Sequence, residues 1–152
     1  MMIELAKGKD KQKIEKLDRH IPSQRLGECI ENGQVYVLKD DSIKNGGQNH
    51  RLEDPVVGVL RYSLFWQTIP FLDLLYIDEA YRNRGFGTQM MREWENLLKI
   101  QGYSYAMTST QADEDAWNFY EKLGYCKTGG FFPPEQEAEE WIYVKRLSES
   151  TE

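Results

Sequence analysis

Cysteine is scarce in this chain of 152 residues: Cys29 and Cys126 are the two present. They lie far apart and outside any Cys-x-x-Cys pair, so a disulfide scaffold is not expected. Two unbridged, mostly buried thiols in a reducing cytoplasm are. Histidine is equally sparse, and His20 and His50 are isolated, so no metal site can be read from them. Positive charge does not dominate either. Nineteen Lys and Arg stand against 25 Asp and Glu, a net charge of -6. Nucleic-acid backbones need a basic face, which argues against a nucleic-acid partner and favours a cationic one. No apolar run approaches the roughly 20 residues that cross a bilayer, and "MMIELAKGKDKQK" has no apolar signal core, so neither a membrane nor an export role is expected. What remains is a cytoplasmic protein with one domain spanning residues 1–152, large enough to bury a single core. Its oligomeric state is not written in the sequence; a homodimer stays open.

The chain then reads as an alternation of short elements. Met2 to Leu5 suits a strand. Ile14, Leu17 and Ile21 recur at helical spacing behind Asp10, a candidate N-cap, and Pro22 ends that helix. Ser23 can cap a second helix carrying Leu26, Cys29 and Ile30, which Asn32-Gly33 terminates. "QVYVL" follows as a strand. Residues 40–54, with Asn45-Gly46-Gly47, read as a loop. "VVGVLRYSLFW" alternates as a half-exposed strand, Gln67 and Thr68 make a turn, and "FLDLLYI" is apolar enough for a strand covered on both faces. In "TQMMREWENLLKI", Met90, Met91, Trp94, Leu97 and Leu98 form a core-packing stripe, with Arg92, Glu93, Glu95 and Asn96 opposite. Gly102 ends that helix. A strand "YSYAMTST", a helix "DEDAWNFYEKL" ending at Gly124, and the strands "YCKTGGFF" and "EWIYVKRL" complete the chain. That order means a mixed α/β or α+β fold around one central sheet.

The stretch "YRNRGFGT", residues 81–88, lies between a strand and a helix. The first turn of a helix leaves its backbone N–H groups without partners, and the macrodipole adds partial positive charge. Gly85 and Gly87 let an anion approach the backbone, and Arg82 and Arg84 add charge and forked donors. Alone, the stretch fits a phosphate cradle or a plain tight turn. It is neither a Walker loop nor a Gly-x-Gly-x-x-Gly turn, since Met90 stands three residues after Gly87.

"DLLYIDEAYRNRGFGTQMM" resembles motif A of the GCN5-related N-acetyltransferases, the GNAT family, through Arg82, Gly85 and Gly87. About 30 residues on, "DEDAWNFYEKLGY" is similar to the family's motif B through Ala116, Phe119, Tyr120 and Gly124, with Asp113 in place of Asn and Tyr125 in place of Phe. The resemblance implies a GNAT fold: a mostly antiparallel, twisted sheet of six to seven strands, splayed at the middle and flanked by about four helices. It implies acetyl-CoA as acyl donor and no metal. The pyrophosphate would rest on the backbone of Arg84, Gly85, Phe86, Gly87 and Thr88, assisted by Arg82, with Asp113 also on the donor side. The pantetheine would pair with the backbone of Leu75 and Ile77. Tyr120 would be the general acid that protonates the departing thiolate; without the motifs it would read as a core aromatic of an amphipathic helix. Positions where relatives carry a catalytic Glu hold Phe71 and Thr108 here. Asp73, on the same strand face as Phe71 and Leu75, is the candidate base; a water relay or an acceptor arriving neutral are alternatives.

The acceptor remains an amine of unknown identity. "FFPPEQEAEEW" sets Glu135, Glu137, Glu139 and Glu140 beside Phe131, Phe132 and Trp141. Carboxylates beside aromatics suit a cationic amine with an apolar body, such as a small amine or a lysine or N-terminal amine of a peptide, although such a loop can equally be a solvated acidic surface. A CoA-binding regulatory module without catalysis is the alternative to an N-acetyltransferase.

Overall fold

The computed structural model describes residues 1–42 and 54–148. Most of the loop expected over residues 40–54, including Asn45-Gly46-Gly47, and also His50, lie outside the described residues. The strands are β1 (Met2–Leu5), β2 (Val35–Lys39), β3 (Val56–Phe65), β4 (Ile69–Ile77), β5 (Tyr105–Gln111), β6 (Cys126–Phe131) and β7 (Glu140–Arg146). The helices are α1 (Lys11–Leu17), α2 (Ser23–Glu31), α3 (Phe86–Ile100) and α4 (Ala116–Lys122), with 3-10 turns at Gly8–Asp10 and Glu79–Tyr81. The sheet has seven strands in the order β1-β2-β3-β4-β5-β7-β6. β1 and β2, β2 and β3, β5 and β7, and β6 and β7 pair antiparallel, whereas β4 runs parallel to β5. This is the mixed α/β architecture expected from the order of elements. The β4–β5 register comprises Phe71 with Met107 and Leu72 with Thr108, although β4 continues to Ile77.

The chain divides into two compact units. The first is Met1–Tyr62 with Leu74–Glu93 and the second is Ser63–Asp73 with Trp94–Glu152. In the first unit, Ile14, Leu26 and Ile30 pack on Val35, Val37 and Val59, with Leu17, Ile21 and Leu74 at the margin. On the other face of these strands, a Cβ at Gly58 would lie 2.9 Å from Ile77, 3.0 Å from Leu38 and 3.3 Å from Met90, so only glycine lets the β4 and α3 side chains close over β3. β3 is therefore buried from Val56 to Tyr62 and is not half-exposed. Arg61, a charged residue within this strand, is buried with its Nε donating to the Asp18 carboxylate at 2.7 Å. The same pair shortens the first helix. α1 stops at Leu17, and Asp18 turns extended, where its carboxylate meets Arg61 and accepts from the His20 amide; Ile21 packs from the following loop.

Two expected caps behave differently. Asp10 precedes α1 but does not cap it: its carboxylate accepts from the Lys7 amide at 2.8 Å and pairs with the buried Lys39 ammonium at 3.0 Å. Ser23 is the first residue of α2 rather than its cap, and its hydroxyl donates to Glu15 at 2.6 Å. In each case a tertiary partner outcompeted the local helix amides. The helix ends follow the glycines as expected: Gly33, Gly102 and Gly124 all take the left-handed conformation.

In the second unit, Leu72, Ala106, Thr108, Thr110, Tyr120, Tyr125 and Tyr143 are buried. β6 is an edge strand with all six residues exposed, which leaves Cys126 exposed instead of buried. Glu95 reverses another expectation. It lies in the polar half of the α3 pattern, yet it is 4% exposed.

Candidate active site

The turn before α3 is built to present backbone. Asp78 ends β4 and accepts from the Ala80 amide at 3.0 Å, which starts the 3-10 turn. Tyr81 then donates its hydroxyl to Asp40. That bond and two from Ser42 hold the Asp40 carboxyl down at about 2, so it stays charged at neutral pH; the Ser42 hydroxyl is the largest cause. Asn83 and Gly85 adopt positive φ, +60° and +82°. The chain thereby turns twice within three residues and enters α3 at Phe86, two residues earlier than the apolar stripe suggests. Gln89 N–H is the first amide to reach a helical acceptor, the Gly85 carbonyl at 3.0 Å. The amides of Phe86, Gly87 and Thr88 precede it and have no carbonyl one turn back. They form the positive end of a 15-residue helix.

The two glycines serve different needs. A Cβ at Gly85 would meet nothing within 4 Å, so its requirement is the left-handed backbone and not space inside the protein. Gly87 lies in the first turn of α3 without a positive φ, so its backbone conformation does not require glycine. The arginines are exposed. Arg82 Nε donates to the Ile77 carbonyl at 2.8 Å and its guanidinium lies 5.1 Å from the Tyr76 ring centre. Arg84 lies over Tyr81 at 5.6 Å and Phe86 at 5.4 Å. Leu75 and Ile77 are half-buried on β4, whose buried residues are Pro70 and Leu72; the strand is not covered on both faces along its length. The apolar run marks a strand, but complete cover needs neighbours that β4 has only in part.

In the second unit α4 carries Tyr120, 8% exposed. Burial pushes its phenol up to about 12, against the lowering effect of a hydrogen bond with Thr108. Thr108 donates in turn to the Leu72 carbonyl at 3.1 Å. Phe119 and Tyr125 meet the Tyr120 ring edge-on, at 5.2 and 5.9 Å between centroids. Tyr125 donates to Glu95 at 3.0 Å, and Lys145 donates to the other Glu95 oxygen at 2.6 Å. Burial, then Glu95, raises the Tyr125 phenol. Tyr125 stands where the family motif has Phe, and the local pattern does not show this trio because residues 95, 125 and 145 are distant along the chain.

The remaining candidates separate clearly. Asp73 is exposed on β4. Asp113 is exposed in the turn before α4, which begins at Ala116 with Asp115 at the cap position. Asp113 thus stands three residues before the helix. In the acidic segment, Glu139 accepts from the Trp141 indole at 2.6 Å, and Glu140 accepts from Ser109 at 2.8 Å and Gln136 at 3.2 Å. Lys127 lies 3.9 Å over the Trp141 ring, so this aromatic is already engaged by a residue of the chain itself. Among the described residues, no three metal-ligating side chains cluster.

Comparison with solved structures shows the same fold in known proteins. Ard1 from Thermoplasma volcanium has a similar fold, with a TM-score of 0.79 at 17% identity, over 97% of this chain and 98% of that one. An aminoglycoside 6'-N-acetyltransferase from Enterococcus faecium reaches 0.79 at 14% identity, over 100% of both chains. The ribosomal-protein-S18-alanine N-acetyltransferase from Escherichia coli reaches 0.74 at 14% identity, over 99% of this chain and 96% of that one. No curated protein matches the sequence. The model of the acetyltransferase (GNAT) family matches residues 9–125, a span that holds both the glycine turn and Tyr120, and the chain belongs to that family.

Proposed function

We propose that the protein is an acetyl-CoA-dependent N-acetyltransferase, acting as one catalytic domain on an amine by direct attack. The observation that carries this reading is the turn at residues 84–88, where a left-handed Gly85 opens a helix whose first amides have no carbonyl partner among the described residues. That turn suits the pyrophosphate of CoA. The backbone of Leu75 and Ile77 suits the pantetheine, although the Ile77 carbonyl already accepts from Arg82.

In the reaction the amine nitrogen bonds to the thioester carbon, the C–S bond breaks, and the CoA thiolate leaves with the bonding pair. Tyr120 gives the thiolate its proton and regains one from solvent, while the amine loses one proton. A phenol at about 12 is firmly protonated at neutral pH. In water it would be a weak acid for a thiolate of pKa about 8.5. Burial opposes a thiolate as much as a phenolate, so both values rise together and the match between them is retained.

The proton from the amine goes to Asp73 or to water, because Phe71 is apolar and the Thr108 hydroxyl is committed to Leu72. Asp113 is retained as a donor-side contact at the entry to α4. The acceptor reading is a cationic amine near Glu140, whose two hydrogen-bonding partners, Ser109 and Gln136, are both neutral. The Enterococcus and Escherichia proteins named above acetylate an aminoglycoside and a ribosomal-protein alanine, which keeps small amines and peptide N-termini together as candidates. The test is release of CoA thiol from acetyl-CoA across a panel of small amines, aminoglycosides and peptides. Turnover that Tyr120→Phe abolishes supports the reading. CoA binding without turnover on any amine favours a non-catalytic CoA-binding module.

A further inference from the structure

We propose that Tyr125, anchored by Glu95 and Lys145, is a positioning residue for Tyr120. The inference rests on the reading of Tyr120 as general acid. A carboxylate on a helix in a packed core costs several kcal/mol unless its charge is paired. Glu95 is paired completely: Lys145 takes one oxygen at 2.6 Å and the Tyr125 hydroxyl takes the other at 3.0 Å. Filling the core needs none of this, because a phenylalanine at 125 would supply the same ring. The hydroxyl adds a fixed direction.

Tyr125 passes that direction on through two contacts. Its amide donates to the Tyr120 carbonyl at 3.0 Å, and its ring meets the Tyr120 ring at 73° and 5.9 Å. The turn between them is sharp because Gly124 has φ of +95°. A Cβ there would lie 3.6 Å from the Lys145 side chain, which runs alongside it. Lys145 also lies 5.6 Å over the Tyr125 ring. The Tyr120 ring is thus held between Phe119 and an anchored Tyr125, with its hydroxyl kept toward Thr108.

The experiment measures kcat, the amine KM and the CoA dissociation constant for Tyr125→Phe, Glu95→Gln, Lys145→Met and Tyr120→Phe, and for Tyr125→Phe combined with Tyr120→Phe. The acceptor is whichever of spermidine, kanamycin and a lysyl peptide the parent protein turns over fastest. Misorientation of a proton donor costs about ten- to a hundredfold in rate. Tyr125→Phe is therefore expected to lower kcat about tenfold, with KM and CoA affinity within twofold. Adding it to Tyr120→Phe should cost nothing more. Glu95→Gln removes the buried charge, whereas Lys145→Met leaves it unpaired, so Glu95→Gln is the milder change and should lower kcat in the same direction if the Met variant does not fold. Unchanged kcat in Tyr125→Phe, or an equal fall in both backgrounds, overturns the inference. Full turnover by Tyr120→Phe overturns the general-acid reading, and the inference with it.

Discussion

On the proposed reading, the glycine turn and the Tyr120 cluster are opposite solutions to holding a reactive group. The turn is exposed and works through backbone: its side chains stack on one another, and Asn83 and Gly85 take left-handed conformations. The Tyr120 cluster is buried and works through side chains. Its phenol, its neighbour's phenol and a carboxylate are all out of water, and each needs a named partner. An anion that arrives charged wants amides it can reach without displacing protein atoms. A proton donor wants a dry, fixed environment that keeps its proton until a stronger base forms.

The contrast can be broken most severely at the turn. Gly85→Val puts a β-branched residue at φ +82° and is expected to abolish CoA binding by calorimetry, a loss above about a hundredfold. Gly87→Val should do the same without conformational strain, by filling the space in front of the amides. If Gly87→Val binds CoA normally, the first turn of α3 is not the cradle. Tyr120→Phe should lower kcat by about 10²- to 10⁴-fold and leave CoA affinity unchanged. A parallel loss of affinity would mean that Tyr120 belongs to binding.

Stability sharpens the comparison next. The Tyr120 phenol is raised from 10 to about 12 in the fold, so the folded state holds the proton more tightly than the unfolded chain. This contribution, about 3 kcal/mol, is complete below pH 10 and is lost as pH rises from 10 to 12. Chemical denaturation across that range should show a steep fall that becomes shallower in Tyr120→Phe. Asp40, in the first unit, has the opposite sign: stability from its depressed carboxyl is present above pH 4 and lost toward pH 2, and Asp40→Asn should flatten the acid limb. The smallest effect is expected from Arg84→Ala. Its guanidinium is auxiliary to the amides, so CoA binding should weaken only about three- to tenfold and lose part of its salt dependence. A loss as large as that of Gly85→Val would show that charge and not backbone leads.

Much of this was legible from the residues. Strand–turn–helix order, helix ends at Gly33, Gly102 and Gly124, and the paired motifs around Gly85 and Tyr120 are local patterns, set by spacing and by the conformational freedom of glycine. Asp10, Ser23, Arg61 and Glu95 are polar residues whose partners lie elsewhere in the chain, although the local pattern alone suggests a cap or a surface position for each. A polar side chain in a one-dimensional pattern says only that it needs a partner, and water is the simplest one to assume. Folding supplied Lys39, Glu15, Asp18 and the Tyr125–Lys145 pair instead. The sequence by itself determined the family, the glycine turn and the place of Tyr120 on its helix. Tertiary structure decided how deeply Tyr120 is buried, which residues grip it, and that a carboxylate on the polar stripe of α3 lies in the core, because burial depends on what the rest of the chain brings alongside.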